Sequence, residues 1–333
     1  MSSSFQDFLD RLKTWWQNLW GAPPPPVYLP AGSQPDPVET KVLLINYDPP
    51  VSSAGNRRLS EVMGWNRVDA LVKEFIDDIR ATSYGYANFR VVTRIDVDHF
   101  PVKQDGFTYI PDDFVGYIRS QKGFHQPDQV AYLPIIQEFN LSSLVNQGQI
   151  DEVWIFGPPY GGFYESCMAG PDPFWCNGPA LPSGGANRRF VIMGFNYERG
   201  VGEMHESFCH RAESILTQVF RNTQPEDNLW ERFTRHEKTH PGLAEVGTVH
   251  FAPNSQRDYD WGNPRLVLSR CDNWAHFPDL SGPPRQVTCS EWGNGDIRKH
   301  HTWWERHLPH WNGEANGIAY NWWEYLLIPD HVK

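Results

Sequence analysis

The sequence is poor in cysteine, in basic relative to acidic residues, and in long apolar runs, and each shortage excludes a class of protein. Five cysteines in 333 residues are too few for the dense disulfide framework of a small secreted domain. Lys and Arg number 29 against 40 Asp and Glu, and the formal charge of −11 argues against nucleic acid as a partner. No apolar run approaches the roughly 18 residues of a membrane-spanning helix.

Two common catalytic motifs are also missing. The Gly161-Gly162 loop is not followed by Gly-Lys-Ser/Thr, so it is not a P-loop. The segment Glu165-Ser166-Cys167 lacks the Gly-x-Ser-x-Gly elbow, which disfavours a serine or thiol hydrolase.

From Lys41 onward, apolar blocks alternate with segments of helical periodicity. This alternation predicts an α/β fold with a mostly parallel sheet and helices on both faces. After about Val219, Asn, Asp, Gly, Pro and Trp dominate and predict an irregular, Trp-rich carboxyl-terminal extension. The predicted strands are Val42–Tyr47, Phe89–Val97, Glu152–Gly157 and Phe190–Phe195, and the predicted helices include Leu59–Ile79, Phe114–Arg119 and Val130–Val145.

The chain divides by composition into four segments. Residues 1–22 read as an amphipathic docking helix, because apolar side chains recur at helical spacing within residues 5–20, and no secretory signal pattern is present. We expect this helix to bind a partner protein or a membrane surface, although it could instead fold back onto the body. The other segments are a Pro-rich linker, an α/β core and a Trp/His-rich region packed on that core, at residues 23–40, 41–220 and 221–333.

One predicted helix carries acidic residues and histidine together. It follows the apolar strand Arg189–Tyr197, and its stripe of polar side chains consists of Glu203, Glu206, His210 and Glu213. Glu206 and His210 stand four residues apart, a spacing at which two side chains can share one metal ion. The alternative is an ordinary surface helix with a solvated charged face.

Other residues complete the predicted metal site. His250 follows a short apolar run and is the candidate third ligand, which leaves a fourth position open for water. Ser207 stands directly after Glu206, so the segment departs from the His-Glu-x-x-His signature and lacks its general base. We expect Glu203 or Glu213 to act as the catalytic base in its place.

The order of strand, Gly-Pro-Pro-Tyr-Gly-Gly loop, strand and Glu/His helix over residues 152–219 resembles the catalytic core of zincin-type metallopeptidases of the IgA-peptidase kind. The resemblance implies that Glu206 and His210 are the two helix ligands, and that Ser207 occupies the position of the catalytic Glu. The remainder, including Trp303-Trp304 and Trp322-Trp323, resembles uncharacterised bacterial proteins.

Local spacing of the cysteines predicts two loop-closing disulfides and one lone thiol, Cys209. Disulfides would favour an extracellular or cell-surface location, whereas five reduced thiols would indicate the cytoplasm. The predicted pairs are Cys167–Cys176 and Cys271–Cys289.

These features predict a zinc-dependent hydrolase that acts on peptide or amide bonds. Tyr160, at the predicted carboxyl end of a strand, and the adjacent pair Trp303 and Trp304 are the candidate substrate contacts. The alternative is a non-catalytic surface or structural protein that binds a glycan or a partner subunit through its Trp-rich region.

Overall fold

The computed structural model describes residues 33–333, and they contain alternating strands and helices. In chain order these are β1 (Val38–Tyr47), β2 (Pro50–Val51), β3 (Arg57–Arg58), α1 (Leu59–Met63), α2 (Val68–Thr82), β4 (Ala87–Val97), α3 (Pro111–Ser120), α4 (Tyr132–Glu138), α5 (Leu141–Asn146), β5 (Glu152–Gly157), β6 (Ser166–Ala169), β7 (Phe190–Asn196), α6 (Val201–Val219), α7 (Leu229–Phe233), β8 (Val267–Ser269), β9 (Arg285–Val287), α8 (Ile297–Arg306), β10 (His310–Ala315), β11 (Ile318–Asn321) and α9 (Trp323–Leu327).

The described residues form two compact units that interleave along the chain. The sheet unit consists of Pro37–Arg80, Ala87–Asp227 and Trp323–Lys333. The tryptophan unit consists of residues 33–36, Ala81–Tyr86 and Asn228–Trp322. The predicted docking helix at 1–22 and most of the linker at 23–40 lie outside the described residues. The predicted division near residue 220 is close to the start of the long segment of the tryptophan unit, but the last residues of the chain belong to the sheet unit.

The sheet unit is built on a five-stranded sheet in the order β4-β1-β5-β7-β6. Four strands are parallel, and β6 pairs antiparallel with β7 at the edge. Every residue of β5 is buried, which explains the apolar run that follows Glu152 in the sequence. The predicted mostly parallel α/β fold and the Trp-rich carboxyl-terminal region are therefore confirmed.

Two of the predicted helices are each broken into two. The segment Leu59–Ile79 forms α1 and α2 because Gly64 adopts a left-handed conformation (φ +69°) that ends α1. The segment Val130–Val145 forms α4 and α5, with Asn140 left-handed (φ +50°) between them. The short edge strand β6 was not predicted, since its four residues lack a periodic pattern long enough to detect.

The tryptophan unit has little regular structure, and buried indole rings fill its core. Trp274, Trp292, Trp304 and Trp322 are all fully buried. The indole N–H groups of Trp274, Trp292 and Trp304 have acceptors, and Trp304 Nε1 donates to the Gly247 carbonyl at 3.0 Å. Such rings supply a large apolar area while their single polar atom stays hydrogen-bonded. Among residues 33–333, none of the helices has both the length and the apolar character needed to cross a bilayer.

Candidate active-site cleft

A cleft of about 250 Å³ opens in the sheet unit beside the carboxyl ends of β5 and β7. The loop Pro158–Phe163 forms one wall, and the first turns of α6 form another. Parallel α/β sheets place their ligands at this edge, since the loops that leave the strands diverge there. The cleft therefore lies where the sequence predicts a binding site.

The loop wall is fixed by a buried lysine. Lys103 is almost fully buried, and its Nζ donates to the Asp128 carbonyl at 2.6 Å, to Asp128 Oδ1 at 2.8 Å and to the Tyr160 carbonyl at 2.6 Å. Gly162 has φ +85°, and a Cβ there would lie 1.9 Å from the Asp128 carbonyl oxygen. Only glycine fits this position, so the cleft wall is rigid on that side.

Tyr160, the predicted substrate contact on this loop, lines the cleft. Its ring is 39% exposed and stacks on Phe124 with a centroid distance of 3.5 Å. The structure therefore presents an aromatic face at the cleft, and its contact with a substrate stays a prediction.

The four polar residues of the predicted stripe all lie on α6 and differ in exposure. Glu206 is 7% exposed, whereas the other three are half-buried: Glu203, His210 and Glu213. His205, outside the stripe, is fully buried, 3.1 Å from Asp78 Oδ2. The alternative interpretation of the stripe as an ordinary solvated face therefore stays open.

The side chains of Glu206 and His210 lie close together, as expected for residues four positions apart on a helix. A carboxylate oxygen of Glu206 and a ring nitrogen of His210 lie within 4.8 Å of each other. Nδ1 of His210 lies 3.0 Å from Oε2 of Glu213. Burial alone would lower the pKa of His210, but the Glu213 carboxylate and two further carboxylates outweigh it and raise this pKa above its ordinary value.

The two residues expected to supply the base have different surroundings. Glu203 lines the cleft, and its Oε2 accepts a hydrogen bond from the Gly200 N–H at 3.1 Å, which caps α6. Glu213 instead contacts the His210 ring, so its carboxylate orients the imidazole. Ser207 Oγ donates to the Glu203 carbonyl at 3.0 Å and therefore stays within its own helix.

Glu165 is a carboxylate at the cleft that the sequence did not indicate. It lines the cleft just before β6, and its side chain accepts a hydrogen bond from Asn177 Nδ2. Burial raises the pKa of the Glu165 carboxyl and the Glu206 carboxylate raises it further, while His210 and Arg199 act in the opposite direction. No motif surrounds Glu165 in the sequence. Only the correct placement of the edge strand β6 would have brought it to the cleft.

The chain matches no protein-family model, no curated protein and no solved structure. The resemblance of residues 152–219 to zincin-type metallopeptidases stays a prediction based on its residues.

The remaining predicted site residues belong to the tryptophan unit. Nδ1 of His250 lies 3.1 Å from Oδ1 of Asp258, and the part of His250 as a third metal ligand stays a prediction. Trp303 is 5% exposed and Trp304 is fully buried, and their contact with a substrate stays a prediction. Both rings pack in the core of the unit, where little of their surface can reach a substrate.

The predicted disulfides are not formed in the structure. All five cysteines, each within the described residues, are buried free thiols. Burial raises the pKa of Cys167 to about 12 and that of Cys176 to about 11, so both are protonated at neutral pH. The pairs Cys167–Cys176 and Cys271–Cys289 stay predictions, and the location of the protein stays undecided between the extracellular and cytoplasmic alternatives.

Proposed function

We propose that the sheet unit is a metal-dependent hydrolase of peptide or amide bonds, with Glu206 and His210 as ligands of a zinc ion. The observation that carries this proposal is the approach of their donor atoms to within 4.8 Å on a buried turn of α6. One oxygen and one nitrogen donor at this spacing match the ligand types of catalytic zinc sites.

The surroundings of His210 fit a metal ligand. Its Nδ1 faces the Glu213 carboxylate, and Nε2 is the coordinating atom in this proposal. A carboxylate behind a ligating imidazole fixes the orientation of the ring and raises its basicity. His250 is the third ligand that we propose from the sequence, and zinc held there would polarise a substrate carbonyl and lower the pKa of a bound water.

Two further residues of the cleft have the proposed roles of general base and substrate-binding cation. Glu165 is the general base that we propose in the place of Glu203 and Glu213, because its carboxyl faces the cleft and is poorly solvated. Burial raises the pKa of the Glu165 carboxyl, and a raised pKa makes a carboxylate a stronger base. Arg199 also lines the cleft and supplies a positive charge for a carboxylate of the substrate.

Metal content tests the ligands. We expect zinc in a purified sample of the full chain, and its loss from Glu206→Gln and from His210→Asn. The matched controls are Glu61→Gln on α1 and His99→Asn, which replace the same residue types at exposed positions. A folded wild-type protein that takes up no zinc would favour the non-catalytic alternative.

Activity tests the base. Cleavage of labelled casein and of a quenched fluorescent peptide mixture should fall by about 100-fold or more in Glu165→Gln, with zinc retained. Equal cleavage by Glu165→Gln and wild type would show that Glu165 is not the base, and Glu203 would then be the candidate.

A further inference from the structure

Three side chains of different chemistry meet in the tryptophan unit, and the proposed hydrolase does not use them. Cys271 and Asp272 begin the 3-10 helix Cys271–His276, and His307 caps the end of α8. The Cys271 sulfur, an Asp272 oxygen and a His307 ring nitrogen all lie within 4.8 Å of one another. Sγ of Cys271 donates a hydrogen bond to Oδ1 of Asp272 at 3.7 Å.

The His307 ring is oriented so that one nitrogen can coordinate a metal. Its Nδ1 lies 2.8 Å from the Trp303 carbonyl oxygen, which can only accept, so Nδ1 carries the proton and Nε2 keeps its lone pair. Within the part of the chain that the structure describes, no hydrogen bond engages Nε2.

The charges around this cluster balance, and the thiolate formed on binding would supply the negative charge for a cation. Arg285 donates to Asp272 from Nε and, at 2.9 Å, from Nη2, and its Nη1 donates to Glu291 Oε1 at 2.9 Å. The charge of Arg306 acts on His307 in the same direction as that of Arg285. Oδ2 of Asp272 keeps a second lone pair, and Oδ1 regains one when the Cys271 thiol gives up its proton.

Other roles for Cys271 fit the structure poorly. The side chain is fully buried, whereas a nucleophilic cysteine is partly exposed to solvent. Its predicted disulfide partner Cys289 instead donates from Sγ to Asn294 Oδ1 at 3.3 Å.

We propose that Cys271, Asp272 and His307 bind one zinc ion, with the fourth position open to solvent beside Asp272. Two ligands of a tetrahedral zinc stand roughly 3.3–3.6 Å apart, given metal–ligand distances of about 2.0–2.3 Å. The separation of 3.7 Å between Sγ and Oδ1 is close to this value. On binding, the Cys271 thiol transfers its proton to water and the thiolate coordinates the ion. The ion then links the segment after β8 to the end of α8.

Cobalt(II) is the probe that tests this site, because a thiolate ligand gives cobalt an intense charge-transfer absorption. We expect the metal-depleted full chain to develop this absorption with one equivalent of Co²⁺ and to lose it on addition of Zn²⁺. Cys271→Ser should abolish the band, and Asp272→Asn and His307→Gln should each weaken Co²⁺ binding by at least about 10-fold. Cys289→Ser is the matched control and should keep the band.

The outcome is independent of the hydrolase proposal, since neither Glu206 nor His210 brings sulfur to a metal. Thermal unfolding of each variant verifies that it is folded. A folded wild-type protein without the band overturns the site, as does a band that survives in Cys271→Ser. A Cys271–Cys289 disulfide found by non-reducing peptide mapping would also overturn it, because that sulfur could not then coordinate.

Discussion

At the scale of single residues, the tryptophan unit contains histidines that burial keeps neutral. Burial lowers the pKa of His236 to about 4, helped by the charges of His240 and Lys238. Burial also lowers the pKa of His310 to about 4, against the opposing effect of its hydrogen bond to the Leu308 carbonyl. The His310 ring stacks on Tyr84 with centroids 3.8 Å apart, so a charged form would be poorly solvated.

Because of these two histidines, we expect the tryptophan unit to lose stability at acidic pH. An unfolded histidine has a pKa near 6.5, so between pH 6.5 and pH 4 the unfolded state binds more protons than the folded state. As the pH falls from 6.5 to 4, each residue should therefore lower the free energy of unfolding by on the order of 1 kcal/mol per pH unit. Above pH 6.5 neither residue should change it.

Urea unfolding at pH 7.5, 6 and 4.5 measures the effect. His310→Gln should flatten the dependence on pH even if it also lowers stability at pH 7.5, and the exposed His99→Asn should leave the dependence unchanged. A wild-type stability that is constant from pH 6.5 to pH 4 would contradict the prediction.

At the scale of secondary-structure elements, a buried ion pair connects α6 to β5, and its arginine also binds α9. Arg211 on α6 donates from Nη1 to Glu152 Oε1 on β5 at 2.6 Å, and from Nη2 to the Leu326 carbonyl on α9. Trp154 Nε1 donates to the same Glu152 oxygen at 2.7 Å. The two charged side chains are 1% and 2% exposed.

Removal of one partner should therefore be costly. Arg211→Met leaves a buried carboxylate without its counter-charge, and we expect the free energy of unfolding to fall by about 3–5 kcal/mol. The double variant Glu152→Gln/Arg211→Met should lose less, because no buried charge is left. Denaturant unfolding measures both.

The exposed pair of Arg90 and Glu39 provides the control, and Arg90→Met should change stability far less. If Arg211→Met and Arg90→Met have equal effects, the buried pair does not stabilise the unit.

The sequence predicts elements well where one kind of signal dominates. The strand Glu152–Gly157 is predicted with the bounds that the structure has, because a short block of apolar residues is typical of a buried strand in a parallel sheet. The break at Gly64 is missed although glycine is a local signal for a helix end, whereas the edge strand β6 depends on its pairing with β7. Glu206 and His210 can be identified as candidates from their spacing within one helix. Glu165 and the cluster at Cys271 can be identified only from the tertiary structure.

At the scale of the whole molecule, the last residues of the chain stabilise the sheet unit. The Arg189 N–H donates to Asp330 Oδ1 at 3.0 Å, and Arg189 Nη1 donates to the Val332 carbonyl at 2.8 Å. Trp323 is fully buried and stacks on Phe208 of α6 with centroids 5.9 Å apart.

Deletion of Trp323–Lys333 should therefore destabilise the sheet unit by at least about 4 kcal/mol, since two large apolar side chains, Trp323 and Leu326, lose their burial. Soluble yield and melting temperature measure the effect, and deletion of the exposed Lys333 alone is the control. An unchanged melting temperature after the longer deletion would show that this segment is not part of the unit.

The interleaving of the two units also has a consequence for synthesis. The ribosome makes the long segment of the tryptophan unit, Asn228–Trp322, before it reaches Trp323. At about 5–20 residues per second, this delay lasts on the order of 5–20 s. Throughout that interval the apolar side of α6 around Phe208 lacks its covering residues. The nascent chain therefore presents a binding site for chaperones that the finished protein no longer has.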